Sequence, residues 1–130
     1  MQQRCLLIID DDEDDCDFLT ESLIDAGITL TIIVAHDGPA AFKVLQELNG
    51  NLPKLIILDV NMPLMNGLTF YSNLRLTFHI PVIFYTTSCD DDLVKEATDL
   101  GAIDCVQKGV TYVDIMDCAN RVYEFVNTDA

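Results

Sequence analysis

Short apolar runs that end in aspartate are the feature of this chain that most constrains its fold. Residues 55–58 form the run Leu-Ile-Ile-Leu, and Asp59 follows it directly. Residues 6–9 form a second run of the same length, which is followed by Asp10 and Asp11. Runs of this kind are typical of strands buried on both faces of a parallel sheet, and open α/β sheets bind ligands beyond the carboxyl ends of their strands. The sequence therefore predicts a cluster of carboxylates in a binding crevice.

Strand-like and helix-like patterns alternate five times along the chain, which is typical of a parallel sheet with helices on both faces. Strands are predicted near residues 5–9, 30–34, 55–58, 82–85 and 104–107. The first helix would pack through Phe18, Leu19, Leu23 and Ala26, and the last through Val113, Met116, Val122 and Val126. Glycines at positions 27 and 101 are well placed to end the first and fourth helices. Five βα units account for residues 1–130, so we expect one domain and no output domain.

Composition limits the class of protein and of partner. No apolar run approaches the roughly 20 residues needed to cross a bilayer, and the N-terminus lacks the apolar segment of a secretory signal. We therefore expect a soluble, cytoplasmic protein. The net charge of -15 repels nucleic acid and anionic lipid, so neither is expected as a partner, and proteins or cations are favoured.

The five cysteines contain no Cys-x-x-Cys pair and lie scattered among apolar positions. They are Cys5, Cys16, Cys89, Cys105 and Cys118. This pattern is typical of small buried hydrophobic residues in a reducing compartment. We expect Cys105 to fill the core rather than to sense redox state.

One arrangement of such a sheet brings the aspartates together. In the flavodoxin-like strand order 2-1-3-4-5, the first and third strands are neighbours, so Asp10, Asp11 and Asp59 would converge. Three carboxylates in a partly buried site repel one another and require a cation, and Mg²⁺ suits an open site of this kind. The fourth and fifth strand ends would add the hydroxyl of Thr86 and the charge of Lys108. This set indicates phosphoryl transfer, with Asp59 as the candidate nucleophile.

Four motifs span nearly the whole chain. They are LIIDDDEDD at residues 7–15, LDVNMPLMNG at 58–67, PVIFYTT at 81–87, and Gly101-Ala102 together with Lys108. In this combination the chain resembles a response-regulator receiver domain of two-component signalling, of the single-domain chemotaxis type. The resemblance implies a flavodoxin-like, doubly wound (βα)5 fold with a five-stranded parallel sheet in the order 2-1-3-4-5.

The resemblance also implies the chemistry of the site. Asp59 would accept a phosphoryl group from a histidine kinase or a histidine phosphotransfer protein. Mg²⁺ would be held by Asp11, Asp59 and the backbone carbonyl of Asn61, with Asp10 helping through a water molecule. The domain would catalyse its own phosphorylation and dephosphorylation, without turnover of an outside substrate.

The same resemblance implies how the signal leaves the site. Lys108 would contact the phosphoryl group, and Thr86 would move to bond it. The surface that changes would be the face of the fourth helix, fifth strand and fifth helix, about residues 90–126, which would bind a downstream protein.

Two positions depart from the usual receiver pattern. Gly109 follows Lys108 where receivers usually carry a proline with a cis peptide bond, and a cis bond before a non-proline residue costs about 2.5 to 4 kcal/mol. We therefore expect a trans or looser loop there. Cys105 stands where many receivers carry a tyrosine or phenylalanine that rotates with the threonine. A weaker or differently routed coupling is expected.

Other interpretations of the acidic residues remain. Residues 10–17 hold seven acidic side chains in eight, and such a run is commonly a solvated helix N-terminus, which we expect for Glu13, Asp14, Asp15 and Asp17. A calcium loop is excluded because Asp15 occupies the place that needs glycine. An aspartyl phosphatase would carry its nucleophile on the first strand in an Asp-x-Asp pair and would usually have a cap domain. We do not expect one, because 130 residues leave no room for the cap. A pseudo-receiver, which binds partners without being phosphorylated, is the alternative.

Overall fold

Five strands alternate with five helices in the computed structural model, which describes residues 4–62, 65–109 and 111–128. The strands are β1 (Cys5–Ile9), β2 (Thr31–Ala35), β3 (Leu55–Leu58), β4 (Val82–Thr86) and β5 (Asp104–Gln107). The helices are α1 (Glu13–Asp25), α2 (Gly38–Glu47), α3 (Gly67–Leu74), α4 (Asp91–Leu100) and α5 (Tyr112–Thr128). Pro63 and Leu64, which belong to the motif at 58–67, lie outside the described residues.

The strands form one parallel sheet in the order β2-β1-β3-β4-β5, which confirms the predicted flavodoxin-like fold. In the pairing of β1 with β3, Ile9 lies opposite Leu58. The amide of Asp59 then donates to the carbonyl of Ile9 at 2.9 Å. Asp10 and Asp59 therefore leave the sheet side by side, at the carboxyl ends of two neighbouring strands.

The sheet separates two apolar layers, because successive residues of a strand point to opposite faces. Leu7 and Ile9 belong to the layer covered by α2, α3 and α4. Leu6 and Ile8 belong to the layer covered by α1 and α5. Complete burial of a leucine or isoleucine side chain contributes about 1.5 to 3 kcal/mol, so both layers hold the strand ends firmly in place.

Polar residues at helix termini explain part of the acidic composition. Side-chain oxygens of N-cap residues accept hydrogen bonds from backbone amides two or three residues later and so satisfy donors that the helix leaves free. These residues are Asp12 in α1, Asp37 in α2, Asn66 in α3 and Asp90 in α4. Gly101 ends α4 in the left-handed conformation, as predicted.

Some details of packing differ from the predictions. The second strand begins and ends one residue later than predicted. Phe18 and Val113 were predicted to pack inside but are 56% and 69% exposed. Each helical residue turns about 100° from the last, and the buried stripes pass through Cys16 and Leu19 in α1 and through Cys118 in α5. Phe18 and Val113 lie on other sides of their helices.

The cysteines fall into two groups. Cys5, Cys16 and Cys118 are buried, as predicted, whereas Cys89 and Cys105 are only partly buried. Cys105 still packs against the apolar layer that α2, α3 and α4 cover. Within the described ranges, no helix has the length and apolar character needed to cross a membrane.

Candidate functional site

Three carboxylates meet at the ends of β1 and β3. One side-chain oxygen from each of Asp10, Asp11 and Asp59 lies within 4.8 Å of the other two. Asp10 and Asp59 are 4% and 5% exposed, while Asp11 faces solvent. The predicted acidic cluster therefore exists, and its arrangement of hard oxygen donors with one open side could hold a divalent cation.

Asp59 lies at the bottom of this crevice. Its Oδ1 accepts a hydrogen bond from the amide of Asn61 at 3.3 Å, and its Oδ2 lies 3.7 Å from the Nζ of Lys108. Burial, and then the negative charge of Asp10, raise the pKa of Asp59 to about 6, although Lys108 and the Asn61 amide oppose the shift. Asp59 is thus mainly ionised at neutral pH and becomes protonated in mild acid.

Gly67 fixes the loop that follows Asp59. Its amide donates to the carbonyl of Val60 at 2.8 Å. A Cβ at position 67 would collide with the backbone oxygen of Asp59 and would lie 2.8 Å from the Cα of Val60. Only glycine fits such a close approach between backbones, which explains its place at the end of the motif.

Lys108 binds two carboxylates at once. Its Nζ lies 2.7 Å from Asp10 Oδ2 and 2.8 Å from Asp15 Oδ2, and its side chain is only 8% exposed. The same ammonium lies 5.8 Å from the centre of the Tyr85 ring. Burial alone would lower the pKa of Lys108, but the hydrogen bonds to Asp10 and Asp15 and the charges of Asp10 and Asp59 outweigh it and raise that pKa. Lys108 is therefore a fixed cation inside the crevice.

Asp15 is the member of this cluster that the sequence did not identify. We predicted a solvated side chain, yet Asp15 reaches the buried ammonium of Lys108 from the first turn of α1. The amide of Asp15 also donates to the capping side chain of Asp12 at 3.0 Å. The run of neighbouring acids contains no pattern that tells which one faces the crevice, because that depends on where α1 begins.

Thr86 and Asn61 are near the cluster but make other contacts. The Thr86 side chain is buried, and its Oγ1 accepts a hydrogen bond of 3.5 Å from the amide of Ser88. The backbone carbonyl of Thr86 accepts one from the amide of Lys108 at 2.7 Å. Asn61 is exposed and contacts Asp59 through its amide. The ligand role of its carbonyl and the movement of Thr86 stay predictions.

Gly109, which follows Lys108, lies close to Asp114 in the first turn of α5. The peptide bond from Lys108 to Gly109 is trans, since no cis bond occurs in the described part of the chain. A Cβ at position 109 would collide with the Cβ of Asp114 and would lie 3.1 Å from its carbonyl carbon. The predicted trans bond is therefore confirmed, and glycine lets the first turn of α5 approach the backbone beside Lys108.

Comparisons with known proteins agree with this geometry. The model of the response regulator receiver domain family matches residues 6–120. A protein-glutamate methylesterase/protein-glutamine glutaminase of Rhodopseudomonas palustris is 32% identical over 105 residues, which are 79% of this chain and 28% of that protein. The chain thus spans less than a third of the length of that relative.

Two solved structures have the same fold. The phosphorylated cyanobacterial phytochrome response regulator RcpA superposes with a TM-score of 0.85 at 21% identity, covering 99% of this chain and 97% of that one. The chemotaxis protein CheY4 of Vibrio cholerae gives 0.76 at 26% identity, covering 93% and 99%. With the family match over most of its length and this shared architecture, the chain belongs to the response regulator receiver domain family.

Proposed function

We propose that this receiver accepts a phosphoryl group on Asp59 from a phosphohistidine of a histidine kinase or histidine phosphotransfer protein. Receiver domains act as phosphoacceptors in two-component signalling. The observation that carries the proposal for this chain is the convergence of Asp10, Asp11 and Asp59 within 4.8 Å, with the Lys108 ammonium beside them. The ammonium, together with a divalent cation held by the carboxylates, would neutralise the charge on the oxygens of the transferred group while Asp59 acts as the nucleophile.

The reaction is an in-line displacement at phosphorus. A carboxylate oxygen of Asp59 forms the new O–P bond while the P–N bond to the imidazole of the donor breaks. The electron pair of that bond stays on the imidazole nitrogen, which then takes up a proton. The carboxylate of Asp59 is ready for this step at neutral pH, because its pKa of about 6 leaves it mainly ionised.

The donor set fits Mg²⁺. We assign Asp11, Asp59 and the carbonyl of Asn61 as direct ligands, with Asp10 acting through water because Lys108 already occupies one of its oxygens. A bound Mg²⁺ supplies neutralisation of the negative charge on the oxygens of the transferred group. Asp11 is exposed, which leaves the crevice open to a phosphodonor.

Phosphorylation would change the partners of two side chains. Lys108 would exchange Asp15 for an oxygen of the phosphoryl group. That group would be attached to the carboxylate of Asp59, whose Oδ2 lies 3.7 Å from the Nζ of Lys108. Thr86 would exchange the amide of Ser88 for another phosphoryl oxygen. These exchanges would displace the loop after β4 and the backbone near Gly109, and so alter a protein-binding surface within residues 90–126.

Phosphorylation with acetyl phosphate tests the proposal. The purified chain with Mg²⁺ should gain one phosphoryl mass, the Asp59→Asn variant should gain none, and Asp14→Asn should match the parent. Labelling of Asp59→Asn at the parental rate would place the acceptor elsewhere. A well-folded parent that is never labelled, even by phosphorylated phosphotransfer proteins, would instead support the pseudo-receiver interpretation.

A further inference from the structure

Cys89 and Cys105 form a pair of adjacent thiols outside the acidic crevice. Their sulfur atoms lie 3.0 Å apart, and the Cys89 thiol also lies 3.3 Å from the carbonyl of Cys105. Cys105 is in β5, where it pairs with Phe84 of β4, and Cys89 is in the loop that leaves β4. The pair therefore links the edge strand to the loop that follows Thr86.

The backbone around Cys89 is fixed by Gln107. The Oε1 of Gln107 accepts a hydrogen bond from the amide of Cys89 at 3.1 Å, and its Nε2 donates to the carbonyl of Thr87 at 2.5 Å. One side chain of β5 therefore positions the loop on both sides of Ser88. Gln107 thus holds the backbone from which the Cys89 thiol reaches Cys105.

The thiol pair can be reached from outside. Both cysteines are partly exposed and line an open surface cavity of about 590 Å³, together with Gln107 and Arg121. The other three cysteines are buried. A small oxidant can therefore approach Cys89 and Cys105 while the remaining thiols stay protected.

We propose that Cys89 and Cys105 form a reversible disulfide that ties the β4–α4 loop to β5. A disulfide bond is about 2.05 Å long, so the sulfur atoms, now 3.0 Å apart, need to approach by only about 1 Å.

A peroxide is the class of oxidant that balances the reaction. The sulfur of Cys89 attacks one peroxide oxygen and the O–O bond breaks. The other oxygen leaves as water, and Cys89 becomes a sulfenic acid. The sulfur of Cys105 then attacks the Cys89 sulfur, the S–O bond breaks, and the departing hydroxide takes the Cys105 proton as a second water. Two thiols lose two electrons, and the peroxide gains them.

The order of attack follows from the environment of the two thiols. Burial is the main cause that raises the pKa of the Cys105 thiol to about 12, and its contact with the Cys89 thiol adds to the shift. Cys105 is therefore protonated before oxidation and is the poorer first nucleophile, since the thiolate is the reactive form. We assign the first attack to Cys89 and the resolving attack to Cys105.

The disulfide would restrict signal output, a consequence that rests on the proposed function. Thr86 lies three residues before Cys89, and its movement would have to carry the same loop. A covalent bond to β5 limits that displacement, while Asp59 and its crevice stay open. Oxidation would thus leave phosphorylation of Asp59 in place and weaken its effect on residues 90–126.

Mass spectrometry tests the bond itself. After treatment with hydrogen peroxide, the intact chain should lose two hydrogens, and digestion should give one peptide pair joined through Cys89 and Cys105. Cys89→Ser and Cys105→Ser should each abolish the link, Cys5→Ser should keep it, and dithiothreitol should reverse it. Sulfinic acid at Cys89, dimers between chains, or a link that survives Cys89→Ser would overturn the proposal.

Amide exchange tests the restraint separately from phosphorylation. Amides of residues 86–89 should exchange about tenfold more slowly in the oxidised chain than in the reduced chain, without any phosphodonor. Equal exchange would overturn the restraint. With beryllofluoride, the reduced chain should respond in residues 90–126 and the oxidised chain should not. If the reduced chain also fails to respond, the output surface in the proposed function is wrong, while the mass and exchange results still decide the disulfide.

Discussion

The Nζ of Lys108 lies 2.8 Å from Oδ2 of Asp15, a residue 93 positions earlier in the chain. The same ammonium is 3.7 Å from Asp59. Without a phosphoryl group, Lys108 is therefore held nearer to α1 than to the candidate phosphoacceptor. Asp15 competes for the cation on which the proposed reaction depends.

Removing this competitor should speed phosphorylation. We expect Asp15→Asn to raise the rate of labelling by acetyl phosphate about 1.4- to fivefold, because a partly exposed ion pair is worth about 0.2 to 1 kcal/mol. Asp14→Asn removes the same charge from the same turn and should leave the rate within error. Equal acceleration by both variants would indicate a general charge effect instead of release of Lys108.

Asp59 should make stability depend on pH. Burial and Asp10 raise the pKa of Asp59 from 3.8 to about 6, so the folded chain holds this proton more tightly than the unfolded chain. Ionising Asp59 therefore lowers stability as pH rises from about 4 to 6. In metal-free buffer at pH 7, Asp59→Asn should raise the free energy of unfolding by about 1 kcal/mol. The shift in pKa alone would correspond to a larger value, but solvent at the open side of the crevice screens the effect. Urea unfolding at several pH values measures it, and a gain that persists unchanged at pH 4 would contradict this cause.

Magnesium affinity should separate two neighbouring aspartates. Asp11 contributes an oxygen to the carboxylate cluster, whereas Asp12 caps α1 by accepting a hydrogen bond from the amide of Asp15. We expect Asp11→Asn to weaken Mg²⁺ binding at least about tenfold and Asp12→Asn to change it less than about twofold, since asparagine caps helices as well as aspartate. Titrations followed by chemical shift give both constants. Similar losses in the two variants would remove the assignment of Asp11.

Gly109 should be needed for its lack of a side chain. Gly109→Ala places a methyl group against Asp114 and should destabilise the chain by about 1 to 3 kcal/mol, as overpacking does. The cost should fall when Asp114→Gly is present, because that change removes the Cβ with which the methyl collides. Urea unfolding of the four proteins of this cycle measures the coupling. Additive effects would show that the two positions do not meet.

The output surface should respond to a phosphoryl mimic. With beryllofluoride and Mg²⁺, we expect chemical shifts to change at Thr86, near Lys108 and Gly109, and across residues 90–126. The Asp59→Asn variant should show none of these changes. Shifts confined to the loop after Asp59 would contradict the proposed surface.

The fold was predictable because the spacing of apolar residues distinguishes the strand from the helix in each βα unit. The apolar runs at residues 6–9 and 55–58 have no polar face, so they had to be buried strands, and the resemblance supplied the strand order. The acidic cluster was also predictable, because residues that follow neighbouring parallel strands lie at the same edge of the sheet. The strand order was the only information about distant parts of the chain that this prediction required.

Contacts between side chains from distant elements were not predictable. Asp15 faces Lys108 because α1 begins at Glu13, and a shift of one residue would turn Asp15 away. Cys89 meets Cys105 because Gln107 orients an irregular loop, which no periodicity describes. The close approach of Asp114 to Gly109 likewise depends on how α5 docks.

The longest-range ion pair of the site joins Asp10 to Lys108, 98 positions later. Asp10, Asp11 and Asp59 therefore precede Lys108 in the chain by at least 49 positions, and Lys108 is the buried cation beside them. Until β5 adds to β4 at the edge of the sheet, the carboxylates face one another without it. The site is therefore complete only when the edge strand is in place, and any loosening of β5 would take Lys108 away from the carboxylates.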